Sequence, residues 1–401
     1  MAAESLLMET TVRSPIRMRR GAGSWLVDST GRRYLDFVQA RGTNSLGHAS
    51  PVVAHALAQQ ALEVVHMEPS FIPEPAAQLA RLLRERSGLH QVFFCNSGTE
   101  ANETAIKLVR KWGLLQGKGH EIVTFAGAFH GRTFGSMSAT GRQEYAAHFG
   151  PLLPGFRQAR LNDIDSVREQ VGPRTAAILL EVIQGESGVI CARPEFLHAL
   201  RELCHRERIL LVFDEVQTGC GRLGHFFGFE HFGVVPDVVC LGKGMAGGVP
   251  LAAVLAARDA CVFTPGDHGG TFNGSALATA VGLAVLQVIG DASFLAHVRE
   301  VGTYLSHRLD ELSADLRLHG AQGAGLLQRL DLGRPVGAKV VARARSVPVA
   351  DLEGGHALLL NSPRPNLLRF LPALNVTRAE VDAMVLALHR AVDTVLREAP
   401  D

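Results

Sequence analysis

The chain has 401 residues, 47% of them hydrophobic and 20% charged, so it can bury the cores of two or three ordinary domains and is not disordered by composition. Forty Lys and Arg stand against 39 Asp and Glu, a formal charge of +1, which offers no electrostatic footprint for nucleic acid or an anionic membrane. Glycine is over-used, 42 of 401, roughly 10% against a usual ~7%, so many backbone positions are expected at positive φ or in close approach.

Six cysteines (Cys95, Cys191, Cys204, Cys220, Cys240 and Cys261) are scattered without a CxxC pair. Several sit in apolar runs such as Val238–Leu241 and read as buried reduced thiols rather than disulfides or metal ligands. The first twenty residues hold four arginines and two glutamates and no apolar core of a signal peptide. No apolar stretch approaches the ~18 residues of a membrane span. A cytoplasmic, soluble protein without a membrane partner is expected.

The first fifty residues read as an arm with a hairpin (GSWLVDSTGRRYLDFV). Residues 91–96 (QVFFCN) read as a buried strand. Thr99 to Leu115 reads as a helix, with Ala101, Ala105, Leu108, Val109, Trp112 and Leu115 on one face. Strands follow at 121–126 and 176–183, then a helix from Pro194 to Arg208 with proline in its first turn. Further strands are expected at 209–216, 237–242 and 249–257. Short apolar runs alternating with helices indicate a mostly parallel sheet covered on both faces. From residue 291 the texture changes to long amphipathic helices (291–316, 377–398) around strands at 325–333, 358–362 and 367–374. The expected division is an arm over 1–50 packing with the C-terminal unit, a large domain over 51–290 and a small α+β domain over 291–401.

Gly219-Cys-Gly221-Arg-Leu-Gly224 is a literal GxGxxG, but the following HFFGF has no helical period, and the first glycine does not directly follow the strand. It reads as a glycine-rich surface loop, not a dinucleotide fingerprint. There is no P-loop. Asn96-Ser97-Gly98-Thr99-Glu100 ends a strand and opens a helix, which suits either a phosphate at the helix N-terminus or an ordinary serine cap. Asp214 ends the apolar strand ILLVFD, at the mouth where such sheets bind ligands; alone it also fits a strand-end salt bridge. Lys243 stands between Gly242 and Gly244 at the end of the next strand, and alone fits a solvated loop lysine. Together the three meet the needs of pyridoxal 5′-phosphate: a lysine for the aldehyde, a carboxylate for the ring nitrogen and a cradle for the phosphate.

SGTEANETAIKL, FHGRT, LEVIQGESGV, VFDEVQTGCGR, LGKGMAGGVPLAA and GGTFNG occur in order over 96–274, with NLLRFLPALNVT at 366–377. Over nearly its whole length the chain resembles the class III, ornithine-aminotransferase-like, pyridoxal-phosphate aminotransferases, nearest the acetylornithine aminotransferase branch. The resemblance implies the type I, aspartate-aminotransferase-like α/β fold: a large domain with a mostly parallel seven-stranded sheet, a small α+β domain, and a homodimer with shared active sites. Lys243 matches the family's Schiff-base and proton-carrying lysine, and Asp214 the partner of the ring nitrogen. Gln217 matches the residue near the ring hydroxyl and Phe129 the stacked aromatic. Ser97, Gly98 and Thr99 match the phosphate cradle, and Thr271, beside Gly270, reaches the phosphate from the other subunit. Arg132 matches a substrate-carboxylate ligand. Arg369 matches the ligand of the α-carboxylate of glutamate or 2-oxoglutarate, and Glu186 its partner when a terminal amine is bound. No metal is implied.

Four positions depart from the family pattern: Arg41, Ile72, Val182 and Ser187. Arg41 stands near a place where ornithine aminotransferases carry a substrate-touching tyrosine; a cation there either recruits an extra carboxylate or pairs with a nearby acid. The implied reaction moves the terminal amine of N2-acetylornithine to 2-oxoglutarate, giving N-acetylglutamate 5-semialdehyde and glutamate in arginine biosynthesis. Ornithine, succinylated diamino acids and 4-aminobutyrate are the alternative donors. An aminomutase on the same fold and a non-catalytic relative are the remaining readings.

Overall fold

A computed structural model describes residues 7–346 and 356–398. The main sheet has seven strands: β1 (Gln91–Cys95), β2 (Glu121–Phe125), β3 (Phe156–Ala159), β4 (Thr175–Leu180), β5 (Leu210–Asp214), β6 (Val238–Leu241) and β7 (Ala252–Ala256). Their spatial order is β1-β7-β6-β5-β4-β2-β3. All run parallel except β7, which is antiparallel to both neighbours. Strands β2, β4, β5, β6 and β7 are buried along their whole length, as a sheet covered on both faces requires. The α/β class and the mostly parallel seven-stranded sheet expected from the sequence are present.

Ser97 caps the helix Gly98–Leu115 in a full capping box, its hydroxyl accepting from the Glu100 N–H while Glu100 accepts from Ser97 N–H. That helix therefore starts immediately after β1, with its N-terminus at the C-terminal edge of the sheet. The expected strand over 176–183 breaks after Leu180, where the chain turns so that Glu181 faces inward, and Ile183–Gln184 pairs separately with Ile190–Cys191.

A second, antiparallel sheet has the order β8-β9-β11-β10, from β8 (Gly320–Ala324), β9 (Leu327–Asp331), β10 (Asn361–Arg364) and β11 (Leu367–Phe370). Helices Ala292–Asp315 and Arg378–Glu398 flank it. The sequence reading contained neither β8 nor the helix Gly337–Ser346. The sequence GAQGA has no β-branched or aromatic residue and is a strand only because β9 supplies its hydrogen bonds. The arm hairpin, Trp25–Asp28 against Arg33–Asp36, joins Ala357–Leu359 in parallel, and Phe37 bridges on to Leu371.

The Gly219–Gly224 segment is not a surface loop: every residue in it is buried. Gly221 and Gly224 have φ of 84° and 81°, and a Cβ would lie 2.6 Å from Ile289 and 2.3 Å from Arg299, respectively. The glycines let this loop fit between the main sheet's helices and the C-terminal strands. Inside it the buried Arg222 donates to the carbonyls of Leu326 (3.1 Å) and Pro372 (2.7 Å). Burial in the absence of an acid partner lowers its pKa to about 9.

All six cysteines are free, and Cys95, Cys204, Cys220 and Cys240 are buried. Among the described residues no single helix is long and apolar enough to cross a membrane.

Candidate active site

The C-terminal ends of β1, β2, β4, β5 and β6 surround one cavity of about 180 Å³, where ligands of parallel sheets bind. Ser97, Gly98, Thr99, Phe129, Glu186, Asp214, Gln217 and Lys243 line it. These eight come from segments up to 146 residues apart, Ser97 to Lys243, and the sheet alone brings them together.

Asp214 is buried at the floor. Its Oδ2 accepts from Asn102 Nδ2 and His130 Nδ1, both at 2.8 Å, and its Oδ1 from the Val216 N–H at 3.0 Å. Three donors fix the carboxylate's orientation toward the cavity. His130 Nε2 and Asn102 Oδ1 are buried without a partner.

Lys243 follows Gly242 after β6 and has φ of 39°, the left-handed strain that recurs at functional positions. It is half-buried. Burial lowers its amine pKa, opposed by Glu186 and reinforced by the positive charge of Arg369. Glu181, buried in the cavity lining, accepts from the Phe129 N–H at 2.9 Å. Burial and the charge of Asp214 push it up to about 7, against the opposing pull of His130, the Phe129 N–H and Lys243.

Behind Glu186 and Gln217, outside the cavity lining, Arg369 is fully buried. Its Nη1 donates to Glu186 Oε1 at 2.7 Å and to Gln217 Oε1 at 3.3 Å. Its Nε and Nη2 both donate to Asn361 Oδ1, at 3.0 and 2.7 Å. Burial alone would raise Glu186, but Arg369 and Lys243, the Arg369 hydrogen bond and the charge of Arg41 outweigh it and hold the carboxyl at about 2. The cavity thus brings together a lysine of lowered pKa, a carboxylate fixed by three donors and an acid, Glu186, whose partner is the guanidinium behind it.

The structure does not bring every expected residue into this cavity. Arg132 is exposed, with its guanidinium 4.0 Å from the Tyr145 ring centroid and 5.7 Å from that of Phe129. Gly270 and Thr271 are exposed on a turn outside the cavity lining. Arg41 is exposed in a left-handed run, Gln39 (φ 45°), Ala40 (φ 50°) and Arg41 (φ 62°). No described acid stands within ion-pair distance of Arg41, so the pairing considered for it is not formed; its charge acts on Glu186 from a distance. Ile72 is 80% exposed, Val182 is buried, and the Ser187 hydroxyl donates to the Gly127 carbonyl.

Sequence reasoning missed Asn102, His130, Glu181, Val216 and Asn361. Asn102 was legible as one helical turn beyond Gly98, and Val216 as the second residue of the turn that follows Asp214. Glu181 and Asn361 carry no local signal, because their roles depend on strand placement.

The cavity fits pyridoxal 5′-phosphate. A lysine and a carboxylate share it, and the free N–H groups of a helix N-terminus open into it. A Cβ on Gly98 would lie 2.5 Å from Val216 Cγ1, so only glycine lets the backbone and the Val216 side chain approach this closely at the helix start. Phe129 supplies an aromatic wall and Val216 an aliphatic one.

The family model for class-III aminotransferases matches residues 8–392. An acetylornithine aminotransferase of Ralstonia nicotianae is 47% identical over 384 residues, covering 94% of this chain and 95% of that one. An acetylornithine aminotransferase of Caldanaerobacter subterraneus is 43% identical, covering 98% and 97%. Among solved structures, N-acetylornithine aminotransferase of Stenotrophomonas maltophilia superposes with a TM-score of 0.83 at 31% identity, covering 96% of this chain and 98% of that one. Ornithine aminotransferase of Toxoplasma gondii superposes with a TM-score of 0.91 at 28% identity, covering 99% and 95%.

Proposed function

Because the chain belongs to the class-III aminotransferases, we propose that it moves the terminal amine of N2-acetylornithine to 2-oxoglutarate, giving N-acetylglutamate 5-semialdehyde and glutamate. The observation that carries this reading is the Glu186–Arg369 pair, in which Glu186 lines the cavity shared with Lys243 and Asp214 and the buried Arg369 stands directly behind it. A guanidinium that an internal acid can mask accepts two kinds of ligand at one place. Paired, it tolerates the uncharged carbon next to a terminal amine; opened, it binds the α-carboxylate of 2-oxoglutarate. The curated relatives named above act on acetylornithine by name, which supports that donor.

Pyridoxal 5′-phosphate supplies the electron-withdrawing ring that stabilises the negative charge left when the donor carbon loses its proton. Asp214, held by Asn102, His130 and the Val216 N–H, would hold the ring nitrogen in its protonated form. The Gly98 and Thr99 N–H groups would hold the phosphate, with Phe129 on one ring face and Gln217 near the ring hydroxyl. Lys243 carries the proton at Nζ. Its lowered pKa leaves a larger fraction of free amine near neutral pH, which a base requires. Glu186 and Arg369 select the substrate's end, and Arg132 takes a carboxylate at the mouth.

In this reading the enzyme is a cytoplasmic homodimer, and Gly270 and Thr271, exposed in their own chain, serve the partner's cavity. The pairing of Arg33–Asp36 with Ala357–Leu359 supports grouping the 1–50 arm with the 291–401 unit against the 51–290 domain. Unpaired Arg41 favours a second reading, in which the donor carries an additional carboxylate, as a succinylated diamino acid does.

The test is a half-reaction without acceptor: cofactor-loaded protein mixed separately with N2-acetylornithine, N2-succinylornithine, ornithine and 4-aminobutyrate, followed by cofactor absorbance. Fast conversion with acetylornithine is expected. Faster conversion with the succinyl compound would move the assignment to the second reading. Conversion with none of the donors, or no exchange with 2-oxoglutarate, would overturn both.

A further inference from the structure

We infer that Asn361 is a positioning residue for substrate recognition: its side-chain oxygen fixes the buried Arg369 guanidinium so that the acceptor's α-carboxylate docks end-on, across Nη1 and Nη2. The inference rests on the reading of Arg369 as the α-carboxylate ligand.

Strand pairing places the two residues together. Asn361 and Arg369 are directly opposed Cα partners between β10 and β11, and directly opposed residues of an antiparallel pair project to the same face. On the other flank of β11, Arg369 is opposed by Arg329, which donates to the Gly188 carbonyl at 3.1 Å. Arg369 is therefore held between a neutral amide and a second cation.

A guanidinium has five N–H donors and two forks able to take a carboxylate: a side fork of Nε and Nη2, and an end fork of Nη1 and Nη2. Asn361 Oδ1 closes the side fork, accepting from Nε at 3.0 Å and from Nη2 at 2.7 Å. Glu186 occupies Nη1 at 2.7 Å. Gln217 Oε1 accepts more weakly from the same Nη1, at 3.3 Å; when Glu186 withdraws, the N–H of Nη1 that it held and the second N–H of Nη2 are the fork that remains for a planar carboxylate.

The identity of the clamp also matters. An aspartate at 361 would hold the same two donors but would neutralise the charge permanently, leaving the incoming carboxylate little to gain. Asparagine fixes the orientation and leaves the charge to the movable acid, Glu186. The geometry is thus divided between a fixed neutral partner and an exchangeable charged one. Preorganisation of this kind matters because the positively charged group is buried and its alternative orientations have no water to satisfy them.

The test uses the cofactor-loaded protein, its N361D and N361A variants, and R369Q. Two quantities are read for each: the apparent dissociation constant of 2-oxoglutarate in the half-reaction from the aminated cofactor, and the dissociation constant of glutarate, an unreactive dicarboxylate, from the perturbed cofactor spectrum. The N2-acetylornithine half-reaction is the internal control. N361D is expected to weaken 2-oxoglutarate and glutarate at least fivefold while the acetylornithine half-reaction changes less than threefold. N361A, which adds no charge, is expected to weaken both ligands in the same selective manner and decides the question if N361D does not fold. Less than a fivefold loss in the folded variants, or an equal loss for donor and acceptor, would overturn the role of Asn361. R369Q leaving 2-oxoglutarate unaffected would instead overturn the reading of Arg369 beneath it.

Discussion

Glu186→Gln isolates the ion pair on which dual recognition depends. The Glu186 carboxyl moves from an ordinary 4.5 to about 2 in the folded protein, and at 1.36 kcal/mol per pKa unit this is about 3 kcal/mol of preference for the charged, paired form. The side chain is 15% exposed, so solvent screens little of it. The folded pKa is depressed, so this stabilisation is complete above about pH 4.5 and disappears as pH falls through about 2. An incoming α-carboxylate must displace Glu186 and works against the same preference. The glutamine still accepts one hydrogen bond, worth about 1 kcal/mol, and the unpaired buried guanidinium raises the free energy of the empty site. About 2 kcal/mol remains, a gain for 2-oxoglutarate or glutamate of about thirtyfold in affinity. A donor presenting a terminal amine now lies against an unmasked charge and should weaken by a similar factor. Stopped-flow half-reactions with glutamate and with N2-acetylornithine measure the ratio directly. A glutamate-to-acetylornithine ratio that shifts by less than threefold would refute the gate.

Three further outcomes are expected. Asp214→Asn sets an amide against the two donors that converge on Oδ2; cofactor should bind more weakly and the half-reaction slow by roughly a hundredfold, and wild-type rates in the loaded variant would remove Asp214 from the mechanism. Glu215 is buried and pushed up to about 8, with the Gly228 N–H at 2.7 Å and the Phe229 N–H bonded to it. Its folded pKa is raised, so the native state holds the extra proton and loses stability as pH rises from about 4.5 to 8. Glu215→Gln should therefore gain in melting temperature relative to the wild type between pH 6 and pH 9, and a difference independent of pH would show a carboxyl that titrates normally. Arg222→Met leaves the Leu326 and Pro372 carbonyls unpaired and should cost about 2 kcal/mol of stability; denaturant unfolding that matches the wild type would show that this joint does not contribute.

The sequence by itself determined the parts whose physics is local. The apolar runs at β4, β5 and β6 are strands because each is short and buried on both faces. Ser97 is legible as a cap because Glu100 stands three residues on, and the structure shows that the cap and the open helix N-terminus coexist. Asp214 and Lys243, each ordinary when taken alone, were legible because together with the Ser97–Thr99 helix start they meet the needs of one cofactor, and because the order of the surrounding motifs carries a family resemblance. Only tertiary structure decided the rest. The glycine loop 219–224 is buried because two packed bodies close over it, which no property of GCGRLG reveals. Glu181 acquires its raised pKa from burial beside Asp214, 33 residues away in the chain. Asn361 meets Arg369 through the register of β10 against β11. A one-residue slip in that pairing would turn the amide to the other face of the sheet, so its contact with the guanidinium is a property of the register and not of the residues.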